Sequence, residues 1–347
     1  MSAISEKHLE NSRIQILLIG IICAVTFIIA VVAMGLGSST SLDFVTTLKI
    51  IFGFEQADEM QSVIIWELRF PRVLMAIVAG VSLSIAGALM QGCLGNPLVS
   101  PLTLGVASGA ALGAAFAIVL GVSIVGNSDL AIVANSFLFA LIVVALIIQL
   151  GNMRSISAES YVLVGIAITF IAGAVVSTMQ YFATDAQLSQ LAHWSFGSLS
   201  RPTLDNTLWI TVAILVLIPT ALKWSWDLNA MSFGGDEFAI STGVDPSSTR
   251  KNALILSALM TSIVIAFTGL IGFVGLAAPH ISRLLVGNDH RKLIPCSAAF
   301  GALLVLIADT IGRTIFAPII IPVGIMLSII GGPFFMYLLL RRKEVMH

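Results

Sequence analysis

The chain has 347 residues, 58% of them hydrophobic and 10% charged, with a net charge of −1 and a mean hydropathy of +1.03. A soluble domain carries about 25% charged residues, so this composition excludes an ordinary soluble enzyme and describes a polytopic membrane protein. It also excludes nucleic-acid binding: there is no basic excess, and the longest basic run, Arg341-Arg342-Lys343, reads as a membrane stop anchor.

Residues 1–13 are mostly polar, ending in Arg13, and residues 14–34 are apolar. That run is longer than a signal-peptide core of about 7–15 residues, so it reads as a retained span. A helix needs about 20 apolar residues to cross a bilayer. Further candidates follow at 72–92, 100–121, 129–150, 160–182, 205–223, 251–272, 294–313 and 319–340. The stretch FVGLAAPHISRLLVG, 273–287, is shorter and holds Pro279, His280 and Arg283. As a short span it makes ten; as a re-entrant piece it makes nine.

Positive residues choose between the two counts. With ten spans and both termini inside, the cytoplasmic set is Lys7, Arg13, Arg154, Lys223, Arg250, Lys251, Arg283, Arg291, Lys292, Arg341, Arg342 and Lys343. The outer set is Lys49, Arg69, Arg72, Arg201 and Arg313. This asymmetry fits the positive-inside rule, and it leaves the outer arginines in need of a reason other than topology.

Packing signals lie within the spans. Gly105, Gly109 and Gly113 form a small-residue stripe, and Ala76, Gly80, Ser84 and Ala88 repeat its spacing. Such stripes let helix backbones approach closely where lipid offers no hydrophobic drive. GNPLVSP, 95–101, has two prolines and reads as a cytoplasmic turn, and FAPIIIP, 316–322, joins the last two spans. Cys23, Cys93 and Cys296 lie in or beside apolar stretches without C-x-x-C spacing and read as buried free thiols.

Chemistry-bearing motifs are scarce. There is no G-x-x-x-x-G-K-[ST] phosphate loop and no H-E-x-x-H, so the chain neither hydrolyses ATP nor builds that zinc site. Few ionisable groups fall mid-span, which disfavours a proton relay; Asp309 and Arg313, at i and i+4, read as a local ion pair. The largest inner loop, 229–252, contains a short helical piece, Asp236–Thr242, closed by Gly243. Asp236 and Glu237 suit the positive end of its dipole. Such a helix under a membrane bundle reads as a lever for a soluble motor, with a plain solvated loop as the alternative.

Three blocks identify a relationship: ELRFPRVLMAIVAGVSLSIAGALMQGCLGNPLVSPLTLGVASGAALGA, GFVGLAAPHISRLLVGNDHRKLIPCSAAFGALLVLIADTIGR and IPVGIMLSIIGGPFFMYLLLRR. In this order and spacing the chain resembles the FecCD family of ABC importer permeases, which carry iron–siderophores, haem and cobalamin. The resemblance covers nearly everything after residue 60. It implies an all-α type II importer permease with ten transmembrane helices, seated in the cytoplasmic membrane as a single domain.

It also implies partners: a second permease subunit, identical or not, two ATPase subunits holding the ATP and Mg, and an extracytoplasmic binding protein. No cofactor is implied in this chain. The fifth span would line the path between permeases. The 232–243 segment would be the ATPase coupling element, through Gly235, Asp236, Glu237, Phe238, Ile240, Ser241 and Gly243. Arg69, Arg72 and Arg313 would dock glutamates of the binding protein. Asn96 and Leu98, with Ala158 and Glu159 ahead of the fifth span, would form the cytoplasmic gate; a carboxylate at Glu159 departs from the small hydroxyl residues usual there, and capping of the helix start is its alternative role. The expected cargo is an iron(III)–siderophore or similar chelate, with cobalamin, haem or molybdate as alternatives. An ion-coupled secondary transporter is the competing class.

Overall fold

In a computed structural model, residues 3–37, 42–126, 128–152 and 158–342 are described. Among them the chain is helical, with no strand. The helices are α1 (Ala3–Gly35), α2 (Phe44–Ile51), α3 (Glu59–Ser62), α4 (Phe70–Cys93), α5 (Val106–Val119), α6 (Ser128–Asn152), α7 (Ala158–Phe182), α8 (Asp185–Ser195), α9 (Leu204–Lys223), α10 (Ser225–Ser241), α11 (Pro246–Thr268), α12 (Val274–Val286), α13 (His290–Thr314) and α14 (Val323–Arg342). A π-helical turn, Val63–Arg69, joins α3 to α4. Among the described residues, seven helical stretches are long and apolar enough to cross a membrane, and three shorter apolar helices, Val106–Val119, Val274–Val286 and Val323–Pro333, occupy the remaining expected spans.

Each of the ten expected spans coincides with a helix, but several ends differ. The helix carrying 72–92 starts at Glu59, not at residue 72. Its first turns carry Glu59, Gln61 and Glu67, which a hydropathy reading passes over, and Asp58 and Gln61 start it with a reciprocal capping box at 2.7 and 3.1 Å. Pro71 is tolerated because it follows the widened π turn at the N-terminal end of α4. The 100–121 span is helical only from Val106 to Val119. Ser100 and Thr103 bond each other's backbone and side chains, and Gly105 turns left-handed at φ 83°. The last span starts at Val323, directly after Pro322. The 13 residues of α12 rise only about 20 Å, less than the roughly 30 Å of a bilayer core.

α4 is the central helix, buried along nearly its whole length and packed by α11, α12 and α13. Missing side chains make this possible. A Cβ on Gly80 would lie 2.2 Å from the Gly301 carbonyl oxygen, and one on Gly87 would lie 1.8 Å from that of Gly275. The same device packs α5 on α6: a Cβ on Gly109 would meet Phe139 O at 2.8 Å, and one on Gly113 would meet Asn135 O at 2.3 Å. Gly105 lies just before the helix rather than on its face. Cys93 and Cys296 are buried, whereas Cys23 is exposed on α1, contrary to the expectation of three buried thiols; α1 borders the bundle and leaves most of its surface free.

Candidate functional site

Arg69, Arg72 and Arg313 lie at one end of the bundle, and Arg250, Arg283, Arg291 and Lys292 lie at the other. At the expected outer end, Asp309 is the centre. Its carboxylate, 1% exposed, accepts from Arg72 Nε at 3.1 and 2.9 Å and from Arg72 Nη2 at 2.8 Å. Arg313, one helical turn further along α13, approaches it at 3.8 Å and donates to the carbonyls of Leu36 and Ala33. Arg69 donates to the carbonyls of Met34 (2.9 Å) and Gly35 (3.4 Å) and to the Thr47 hydroxyl (3.3 Å). Arg72 also donates to Ser200 at 2.7 Å. The end of α1, α2, the head of α4, the 198–201 turn and the end of α13 are thus tied by three guanidiniums and one carboxylate.

The three arginines expected to dock a binding protein thus have partners within the chain. Arg69, Arg72 and Arg313 are only 5%, 8% and 7% exposed, so they do not reach out from the face as free cations. Their carbonyl and carboxylate partners lie inside the chain, where each charge is stabilised by bonds that solvent does not compete for. The i, i+4 pair of Asp309 with Arg313 was visible in the sequence. The closer partner, Arg72, lies 237 positions away and carried no local signal.

At the other end, α10 changes direction at Gly234 (φ −139°, ψ 17°) and Gly235 (φ 73°, ψ −166°), which sets the piece from Asp236 to Ser241 apart as a short helix closed by Gly243 at φ 85°. Phe233 and Ile240 are 83% and 63% exposed, Phe238 is 38% exposed, and Glu237 faces solvent. The first half of α10 is clamped to the start of α13. Asn229 donates to Asp289 at 2.7 Å and accepts from His290 N at 2.7 Å, while Arg291 chelates Asp289 and stacks 4.3 Å over Trp226. The Arg291 hydrogen bonds, foremost, hold the Asp289 carboxyl well below the usual carboxylate range. The second half is held by Arg250, whose Nη2 donates to Asp236 at 2.9 and 3.1 Å and whose Nε donates to the carbonyl of Cys93 at 3.0 Å. Sequence reading placed Arg250 on this side by charge bias but gave it no role.

The expected gate residues also lie at this end. Asn96 accepts from Leu98 N at 2.9 Å and shapes the turn after α4, leaving Leu98 exposed. Ala158 and Glu159 open α7, with Glu159 exposed in its first turn. Of the expected inner cations, Arg154 and Lys343 lie outside the described residues. No group of three or more potential metal ligands occurs among the described residues.

The sequence profile of the FecCD transport family matches residues 22–341. An ABC transporter permease protein of Methanocaldococcus jannaschii is 43% identical over 81% of this chain and 82% of its own length. The hemin transport system permease protein of Yersinia pestis is 36% identical over 91% of this chain and 95% of its own. Among solved structures, one described as an inward-facing conformation of a metal-chelate type ABC transporter superposes with a TM-score of 0.80 at 30% identity, covering 93% of this chain and 99% of that one.

Proposed function

The chain belongs to the FecCD transport family and is the permease of an ABC importer, and from that premise we propose that it carries an iron(III)–siderophore or similar metal chelate into the cytoplasm. Relatives are named for hemin, vitamin B12 and molybdate transport, and these are the alternative cargoes. In this reading two permease subunits enclose the path, two ATPase subunits bind and hydrolyse ATP beneath them, and a soluble binding protein delivers the chelate from outside. Both termini face the cytoplasm.

One observation carries the proposal: the short helix Asp236–Ser241, set off by a double-glycine break and presenting Ile240 to solvent beside the exposed Phe233 that precedes the break, at one end of the bundle. Large apolar side chains at the tip of a charged loop mark a protein interface. Gly235, Asp236, Glu237, Phe238, Ile240, Ser241 and Gly243 are proposed to seat this helix on the ATPase. Asn96, Leu98, Ala158 and Glu159 are proposed to form the inner gate, and α7, which exposes Leu163, Phe170 and Ile171, to line the path. The binding protein docks at the opposite end, where the arginine cluster holds the docking face in register from within. Asp309 is fully paired there, which supports a passive conduit over a proton relay.

The test is reconstitution with the ATPase and binding protein in vesicles. ATP-dependent accumulation of an iron(III)–hydroxamate chelate is expected. Accumulation that needs no ATPase and collapses with an uncoupler would overturn the reading in favour of ion coupling.

A further inference from the structure

Arg250 sits in the first turns of α11 and is 6% exposed, yet it bonds two other elements. Asp236 is the first residue after the Gly234–Gly235 break, so it is the root of the short exposed helix. Cys93 is the last residue of α4, and its carbonyl is among those a helix end leaves without a partner. Three residues further on, Asn96 begins the turn that presents Leu98. On its third side the guanidinium carbon lies 6.0 Å from the ring centre of Tyr161, two residues past Glu159. The Tyr161 ring is itself seated where Gly151 has no side chain: a Cβ there would lie 2.3 Å away.

We infer that Arg250 is the joint through which displacement of the coupling helix reaches both sides of the inner gate, the 96–98 turn by way of α4 and the 158–159 segment by way of Tyr161. It is a positioning residue and touches no substrate. The inference rests on the coupling and gate roles proposed above.

Three features fit a joint better than a passive tie. The guanidinium is a rigid fork, so moving one arm turns the other. The short helix can pivot, because two glycines separate it from the clamped half of α10. It also has room to move: a cavity of about 590 Å³, lined by Tyr161, Asp236, Ile240 and Arg250 among others, opens beside it, where close packing would lock it in place.

The test uses the complete transporter with its ATPase and binding protein in vesicles, comparing wild type with Arg250→Gln, Arg250→Lys and Asp236→Asn. Two quantities are read: chelate taken up per ATP hydrolysed, using an iron(III)–hydroxamate, and the distance between spin labels at position 98 of the two permease subunits before and after trapping ATP with vanadate. Loss of a charge-assisted bond at the joint is expected to lower uptake per ATP by about tenfold or more and to abolish the label displacement in Arg250→Gln. Arg250→Lys, with one ammonium in place of the fork, is expected to fall between. Should Arg250→Gln fail to assemble, Asp236→Asn, on the half-exposed partner, carries the same test. Wild-type displacement and coupling in assembled Arg250→Gln and Asp236→Asn would overturn the joint alone. A wild-type complex that hydrolyses no ATP and moves no label would overturn the importer reading, and the joint with it.

Discussion

Replacing Asp309 by Asn separates a structural arginine cluster from a docking one. The carboxylate is almost wholly buried and takes three contacts of 2.8–3.1 Å from Arg72, with Arg313 at 3.8 Å. Removing its charge leaves Arg69, Arg72 and Arg313 near one another with no counter-charge among their hydrogen-bond partners. Breaking one member out of a buried pair costs about 3–5 kcal/mol, which is roughly two to four orders of magnitude in the folded-to-unfolded ratio. Arg72→Gln removes the other member and should cost a similar amount. The double variant should cost less than the two single costs added, because the second change removes a charge already stranded. Denaturation of the purified complex, with monodispersity by gel filtration, measures this. If Arg72→Gln and Asp309→Asn each leave stability within about 0.5 kcal/mol of wild type, a range ordinary for surface changes, the cluster does not hold the outer end together.

Gly87→Ala should give little folded protein, because its Cβ would lie 1.8 Å from a backbone oxygen that cannot move aside, whereas Gly173→Ala, with nothing within 4 Å on α7, should be neutral or raise stability by about 0.5–1 kcal/mol; thermal melts of the two variants check both. Gly235→Ala meets no neighbour but must hold φ 73°, ψ −166°, at a cost of about 1–3 kcal/mol, so ATPase binding should weaken while the melting point of the permease alone shifts little; co-purification reads the first and a melt the second. Ile240→Asp should lower ATPase retention on an affinity column and leave binding-protein capture on the opposite face unchanged.

The helical pattern was legible in the sequence because apolar runs of membrane length need no long-range information. Gly80, Gly109 and Gly113 were legible for the same reason, since close helix approach is written in small residues at fixed spacing, whereas Gly105 falls just before its helix. Helix ends were less legible. Polar Glu59 and Gln61 begin a helix that hydropathy assigns to a loop, and Ser100, Thr103 and Gly105 shorten one that hydropathy extends. The sites divide similarly. The break at Gly234 and Gly235 is seen only in the fold, but the short helix Asp236–Ser241 announced itself through first-turn acids and the closing Gly243. Arg72–Asp309 and Arg250–Cys93 did not, because they join residues 237 and 157 positions apart, and no local spacing encodes such a pairing. Charge bias grouped Arg69, Arg72 and Arg313 together, as the fold does, but their burial follows from packing that only the folded chain displays.

ATP-driven import of a metal chelate is the activity on which the proposed function stands. Vesicles containing this chain, its ATPase and ATP, given binding protein preloaded with a ⁵⁵Fe-labelled iron(III)–hydroxamate, measure it most directly. Lumenal ⁵⁵Fe that requires ATP hydrolysis and withstands an uncoupler is the expected result. Uptake that proceeds without ATP and stops when the proton gradient is dissipated would contradict it.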